Sequence, residues 1–251
     1  MLIPKLIHQT TTSRHTLTEP FVANLEKIRD LHPGWTVTVY DDADRREFIR
    51  KHFDKEMLRT YLSINPHYGP ARADLFRYLL LYQCGGVYLD VKSSTTVCLD
   101  SVLQSTDQYL LSHWDNARGR PFEGWGLRAE TPYPGEFQQW HIVAAPRHPF
   151  LERVIRAVQI NINSYDVSLD GTGKRAVLRV TGPIAYTKAI RPLLGIAKSR
   201  LVNISDLGLV YSFLDPSNEE FRRSGRLIHE ALVPNHYRTL SEPLVLKKSH
   251  R

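Results

Sequence analysis

No run of about 18 consecutive apolar residues occurs in this sequence, which excludes a membrane-spanning helix of ordinary length. The opening Met1-Leu2-Ile3-Pro4-Lys5-Leu6-Ile7-His8 is too short and too interrupted for a signal peptide, so a soluble, unexported chain is expected. Cysteine is scarce. Cys84 and Cys98 are the only two among 251 residues and lack metal-ligand spacing, which argues against a disulfide framework or a thiolate metal site. Both are expected to serve as small, partly buried hydrophobes in a reducing compartment. Internal repeats and low-complexity runs are also missing, so there is no linker to place. With 42% apolar residues the chain can bury a full core, and a single domain over residues 1–251 is expected.

What is present in excess is positive charge. The formal balance is +7, which implies attraction to polyanions. The basic residues are scattered and form no recognised nucleic-acid-binding module, so nucleic acid is not an expected partner. Anionic lipid headgroups or a charged glycan acceptor account for the charge equally well. The terminal Lys247-Lys248-Ser249-His250-Arg251 is readable as a loose tether or as a solvated end.

Strand and helix signals alternate along the chain, as in an α/β fold. Ile3 to Gln9 is strand-like, Glu19 to Leu31 is an amphipathic helix behind a Thr18 cap, and Thr36-Val37-Thr38-Val39-Tyr40 is a second, β-branched strand. Asp41 and Asp42 end that strand and are placed to cap a helix over Ala43 to Phe53. Such an order is a nucleotide-binding beginning.

The most informative stretch is Asn65 to Lys92. Pro70 at a first helical position, apolar residues at Leu75, Tyr78, Leu79 and Tyr82, and Gly85 as a stop predict a helix. Asp74 and Arg77, three apart, share one of its faces, as an ordinary ion pair would. After Gly85-Gly86, Val87-Tyr88-Leu89 reads as a buried strand with Asp90 at its carboxyl end, the edge at which ligands of open α/β sheets gather.

Arg72-Ala73-Asp74-Leu75-Phe76-Arg77-Tyr78 followed by Gly85-Gly86-Val87-Tyr88-Leu89-Asp90 resembles the sugar-binding region of the DXD-containing glycosyltransferases. That family includes bacterial capsule and lipopolysaccharide transferases, fungal initiating α-mannosyltransferases and, more distantly, the glucosylating domains of clostridial toxins. Weaker likenesses extend it over about residues 1 to 195: Ile3-Pro4-Lys5-Leu6-Ile7-His8-Gln9-Thr10 as the first strand and turn, Trp140 to Phe150 as a strand and helix, and Val180-Thr181-Gly182-Pro183 as a Thr-Gly-Pro element.

The resemblance implies an α/β fold of the GT-A type, a Rossmann-like central sheet flanked by helices. The donor region would span about residues 1–100, and acceptor-side and C-terminal elements about 101–251. It implies a retaining transferase using a nucleotide-sugar donor. Asp74 and Arg77 would hold donor-sugar hydroxyls, Asp90 would serve a metal and the ribose or sugar, and Arg72 would be a further phosphate or sugar contact. His8, Gln9 and Tyr40 would lie near the nucleotide, and Thr181-Gly182 would bring a helix start to the donor. A front-face reaction, in which the departing phosphate oxygen takes the acceptor's proton, needs no separate base.

One position departs from the pattern. Where the motif has Asp-x-Asp, this chain has Asp90-Val91-Lys92, and a protonated lysine does not ligate a cation. Three repairs are open. Asp90 holds Mn²⁺ or Mg²⁺ through water or with a C-terminal ligand such as His229 or His236, of which His236 in Asn235-His236-Tyr237-Arg238, after an apparent strand Ala231-Leu232-Val233, is preferred. Alternatively, Lys92 itself neutralises the diphosphate, or catalysis is lost.

Between Trp114 and Pro134 the sequence is rich in Gly, Pro and aromatics. Trp114 and Trp125 could stack on a sugar and Glu123 and Glu136 could take its hydroxyls, or the aromatics could simply anchor an irregular loop. Asp166 to Lys174, with Gly171 and Gly173, is expected to be another loop. The expected acceptor is a glycan or lipid-linked glycan of a bacterial surface polysaccharide such as a capsule. The expected place is the cytoplasm, with peripheral contact at the inner, anionic face of the membrane. A degenerate sugar-nucleotide-binding module and a polyanion-binding protein are the competing readings.

Overall fold

The computed structural model describes residues 2–214 and 239–246. The chain runs β1 (Leu6–Thr10), α1 (Phe21–Leu31), β2 (Thr36–Tyr40), α2 (Asp42–His52), α3 (Lys55–Ser63), α4 (Gly69–Cys84), β3 (Gly86–Leu89), β4 (Ser94–Thr95), β5 (Tyr109–Leu111) and β6 (His141–Ala144). Next come α5 (Pro149–Asn163), the four-residue α6 (Val167–Asp170), α7 (Gly173–Val180), α8 (Pro183–Ile190), β7 (Arg200–Leu201) and β8 (Leu209–Val210). Six strands form a mixed sheet in the order β2-β1-β3-β6-β5-β7, and β4 pairs with β8 beside it. β1 is parallel to β2 and β3, whereas β6 runs antiparallel to β3 and β5.

The pleat sorts side chains to the two faces of the sheet with a period of two. Tyr88, Tyr109, Leu111, Ile142 and Ala144 pack with α4, α5 and α8 on one face. Val87, Leu89, Leu110 and Val143 pack with Ile28, Trp35, Leu99 and Trp140 on the other. β3 is therefore buried on both sides, as its continuous apolar run predicts.

α4 is more deeply buried than its one-sided pattern suggests, because every residue from Ala71 to Leu81 is buried. It crosses the sheet between other helices, so polar side chains on it must find partners inside the protein. Gly85 caps it at φ +65°. A Cβ on Gly85 would lie 2.7 Å from the Pro146 ring, and one on Gly86 would lie 2.6 Å from the Leu6 carbonyl oxygen. The glycine pair thus lets β3 start directly against β1.

Several expected boundaries move. α1 begins at Phe21, not Glu19, its N-cap is Pro20 without a side-chain bond, and the Thr18 carbonyl accepts from the Phe21 and Val22 amides. β1 begins at Leu6 because Pro4 and Lys5 are used in a turn onto Leu6 and in meeting β2. Asp41, not Asp42, is the N-cap of α2, its carboxylate accepting from the amides of Ala43 and Asp44 while the Asp44 carboxylate accepts from the Asp41 amide in return. Asp166 to Lys174 is not a loop. Asp166 caps α6, and α7 starts at Gly173, whose amide donates to the Tyr68 hydroxyl, so the two glycines separate helices. Cys84 and Cys98 are free and partly buried. No helix of the described residues is long and apolar enough to cross a membrane.

Candidate active site

The carboxyl end of β3 and one face of α4 meet in a buried charged cluster. Arg77 Nη2 lies 3.3 Å from Asp74 Oδ1 and 3.2 Å from Asp90 Oδ1. Its other donors are also used, Nη1 on the Gln139 carbonyl at 2.7 Å and Nε on the Ala73 carbonyl at 3.3 Å. The guanidinium lies over the Tyr88 ring, 4.4 Å from its centre. Burial opposes the charge of Arg77, but the Tyr88 oxygen and the Asp90 and Asp74 carboxylates outweigh it and push the pKa up. The guanidinium therefore stays charged.

Asp74 is closed in by protein groups. Gln139 Nε2 donates to its Oδ1 at 3.1 Å and Thr181 Oγ1 to its Oδ2 at 2.9 Å. Burial raises its pKa, against the pull of Arg77 and these two donors. Asp90 differs, being 28% exposed and the open carboxylate of the two. Its Oδ1 also accepts from the Tyr88 hydroxyl at 3.3 Å. Since Tyr88 has one proton, Thr10 Oγ1, 2.9 Å from the Tyr88 oxygen, must donate to it, which makes a relay Thr10 to Tyr88 to Asp90. Gln9 Nε2 holds the Asp90 carbonyl at 3.3 Å.

The remaining donor-side candidates divide. Arg72 faces away from this cluster. Its Nε and Nη2 donate to the Ile64 carbonyl at 3.1 and 2.8 Å, and it lies 3.7 Å from Asp42. His8 is buried, with Nε2 on the Gly85 carbonyl at 3.1 Å and Nδ1 3.3 Å from the Tyr40 hydroxyl. Burial pushes the His8 pKa down to about 4 and the Tyr40 pKa up to about 12. At neutral pH the imidazole is thus neutral, donating from Nε2 and accepting at Nδ1. Thr181 is in the cluster through its hydroxyl, but the amides of Thr181 and Gly182 donate to the Val177 carbonyl at 3.2 and 2.8 Å and are spent on ending α7.

The depressed histidine has a consequence for stability. Because the folded pKa of His8 lies below its ordinary 6.5, the unfolded chain binds the extra proton between about pH 6.5 and 4, and stability falls as pH drops through that window. Full protonation of the unfolded form costs about 3 kcal/mol. His141, buried and pushed down to about 3, acts in the same direction. Urea midpoints at several pH values should therefore fall below pH 6.5, with a shallower slope in His8→Gln, and an unchanged slope would refute the assignment.

Lys92 Nζ donates to the Tyr211 hydroxyl at 2.7 Å. Tyr211 packs edge-on against Trp114, Trp125, Phe122 and Trp140, so Lys92 joins the donor side to the aromatic loop. In that loop Trp114 is buried and donates to Glu136 at 3.4 Å, and Glu136, also buried, pairs with Arg128 at 3.4 Å. Burial raises the Glu136 pKa, with Arg128 pulling the other way. Gly126 at φ +73° is required here, because a Cβ would fall 2.7 Å from the Trp114 ring. Glu123 accepts the Gly119 amide at 2.9 Å. Trp125 alone of the four acceptor-side candidates presents a substantial aromatic surface, at 41% exposure.

A divalent cation is not accommodated by these residues alone. Asp90 offers one oxygen beyond those bonded to Arg77 and Tyr88, Lys92 occupies the second motif position, and among the described residues no group of three His, Cys, Asp or Glu side chains could hold a metal. His229, His236, the Ala231-Leu232-Val233 segment and the 247–251 tail lie outside the described residues.

Gln139, Tyr88 and Tyr78 carry the cluster without having been assigned roles from sequence. Tyr78 donates to Gln139 Oε1 at 2.7 Å and also approaches the Thr181 carbonyl at 2.9 Å. Gln139 is 65 residues from Asp74, a pairing no local spacing reveals. Open hollows of about 610 Å³ beside α1 (Ala23, Lys27, Thr96) and about 380 Å³ between α2 and α3 (Arg46, Leu58, Leu62) contain none of these groups.

Residues 18–109 match the glycosyltransferase sugar-binding region containing the DXD motif. The chain is 30% identical over 154 residues to inositol phosphoceramide mannosyltransferase 3 of Schizosaccharomyces pombe, covering 61% of this chain and 36% of that protein. It is 35% identical over 158 residues to the mannosyl phosphorylinositol ceramide synthase CSH1 of Saccharomyces cerevisiae, covering 63% and 36%. It thus spans little more than a third of the length of these relatives. The solved structure of PaToxG glycosyltransferase superposes with a TM-score of 0.55 at 14% identity, covering 93% of this chain and 80% of that one, a likeness of fold. Residues 18–109 are thus similar to the sugar-binding region of the DXD-containing glycosyltransferases, with Asp90-Val91-Lys92 at the motif, and the chain has the fold of a glycosyltransferase.

Proposed function

We propose that the chain is a retaining glycosyltransferase that moves a sugar from a nucleotide-sugar to a lipid-linked glycan acceptor. The observation that carries this reading is Asp90, an open carboxylate fixed by Arg77 and Tyr88 at the carboxyl edge of β3, inside the matched sugar-binding region. Asp90 accepts hydroxyls of the donor, while Asp74, filled by Gln139, Thr181 and Arg77, keeps the guanidinium in place for it. The donor's anomeric carbon becomes cationic as the diphosphate leaves, and negative charge grows on that phosphate. Its departing oxygen takes the acceptor's proton, so no base is assigned. Trp125 offers the acceptor sugar an aromatic face.

The acceptor class draws support from the two yeast relatives, whose names specify inositol phosphoceramide and mannosyl phosphorylinositol ceramide, both lipids. A capsule or other surface polysaccharide built on a lipid carrier fits the same chemistry. Incubating the purified chain with labelled nucleotide-sugar and lipid extract tests this directly. Label in the organic phase with an α-anomeric product supports the reading, and a β-linked product or label confined to water refutes it.

The charge of the departing diphosphate must be met either by Lys92 or by Mn²⁺ or Mg²⁺ held with residues beyond Asp90. Lys92→Asp distinguishes the two. If Lys92 supplies the charge, transfer by the wild type survives EDTA, whereas Lys92→Asp becomes dependent on added Mn²⁺. An unchanged metal response in the variant would show that Lys92 does not face the phosphate.

A further inference from the structure

From Gly171 to Ser205 the chain holds seven Lys or Arg residues and no Asp or Glu. Asp170 and Asp206 bound it and are held by the Asp166 amide and the Asn203 side chain, while two carboxylates from elsewhere are taken up by its own arginines, Glu130 by Arg179 at 2.9 Å and Asp107 by Arg200 at 2.5 Å. Among the described residues Lys188 and Lys198 make no ion pair, and both are exposed. Within the same stretch the turn after α8 exposes Leu194 (44%) and Ile196 (78%), on either side of Gly195 at φ +78°.

A third exposed side chain joins them. Tyr133 is 75% exposed and sits in the turn Pro132–Gly135, whose carbonyls at Pro132 and Gly135 approach Arg191 Nη2 at 3.5 and 3.3 Å. Arg191 also accepts the Leu194 amide at its carbonyl, so a single residue ties the Tyr133 turn to the Leu194–Ile196 turn. Lys188 lies one helical turn before Arg191 and Lys198 two residues after Ile196, so two aliphatic side chains and an amphipathic ring project from turns whose chain neighbours include unpaired lysines. Apolar tips within a basic rim are the composition of an interfacial membrane contact.

The geometry points to this face, Tyr133, Leu194 and Ile196 with Lys188, Arg191 and Lys198, as a docking surface for an anionic lipid bilayer. The lysines meet the headgroup charge, and the three tips enter the interface. Arg191 follows directly on α8, whose other end begins at Pro183, two residues after Thr181, the residue hydrogen-bonded to Asp74. Docking here would therefore orient the active site relative to the bilayer that carries the acceptor. The purpose of the surface rests on the lipid-linked acceptor proposed above. Its test does not, since vesicle binding is measured without donor or acceptor.

The experiment is flotation of the purified chain with vesicles of phosphatidylcholine alone and of phosphatidylcholine containing phosphatidylglycerol, across a series of salt concentrations. Binding is expected only to the anionic vesicles. Leu194→Ser with Ile196→Ser should weaken it by about tenfold or more, and Lys188→Glu with Lys198→Glu by a similar factor. Donor hydrolysis should be unchanged in both. Lys51→Glu with Lys55→Glu alters the net charge equally at the opposite, β2 edge of the sheet and should leave binding nearly intact. Equal weakening by that control would reduce the effect to net charge and overturn the proposal. So would the absence of binding to anionic vesicles, or self-association in solution that the Leu194 and Ile196 changes abolish, which would make a second copy the occupant.

Discussion

Asp90→Ala is expected to lower donor turnover by about 10²–10³-fold or more with the fold intact, the range seen when one preorganised polar group is lost from a reacting centre. The fold should survive because Asp90 is partly exposed and lies just beyond β3, so its removal leaves no buried cavity. Arg77 keeps Asp74, and Tyr88 keeps Thr10. What is lost is the one open carboxylate of the cluster, and with it the proposed acceptor for donor hydroxyls. Asp90→Asn separates charge from shape, since the amide retains a hydrogen-bonding oxygen. Turnover near the wild-type value in Asp90→Ala, in protein with an unchanged melting temperature, would remove the proposed site.

Arg77→Ala should act on both stability and activity. Its guanidinium is buried between two carboxylates, and removing one partner of such a pair costs about 3–5 kcal/mol, because the charge left behind has neither water nor a counter-ion. Asp74 would carry that cost, since Asp90 reaches solvent. Adding Asp74→Asn to Arg77→Ala should therefore recover part of the stability without recovering donor turnover. Arg77→Lys should not rescue function, because three separate nitrogens serve Ala73, Gln139 and the two carboxylates, and an ammonium group cannot span those directions. Urea midpoints and donor hydrolysis measured on the same preparations check both effects. A single variant Arg77→Ala as stable as the wild type would contradict the geometry.

The sequence made α4, the glycine pair and β3 legible because each carries a local signal: a proline near the helix start, two glycines where no Cβ fits, and a short apolar run. From Asp74, Arg77 and Asp90 the cluster could be proposed, since two lie a helical turn apart and the third ends the next strand. Gln139 and Thr181 could not be paired with Asp74 from spacing, as they arrive from 65 and 107 residues away. Nor could the sequence tell the open carboxylate from the closed one. That depends on burial set by Gln139 and Thr181, which close over Asp74 and leave Asp90 open. Arg72 illustrates the opposite error. It stands two residues from Asp74 on the same helix, and a separation of two turns it toward Ile64. The glycines at 171 and 173 suggested a loop because the same residue that ends a helix can also begin one.

The most direct test of the account is nucleoside diphosphate release by the purified chain from a panel of nucleotide-sugars, with Mn²⁺, with Mg²⁺ and with EDTA, alongside Asp90→Ala. Release from one donor by the wild type, abolished in Asp90→Ala, is the predicted result, and the EDTA arm assigns the charge to a metal or to Lys92. No release from any donor, together with no donor binding by calorimetry, would contradict the claim that this cluster is a nucleotide-sugar site.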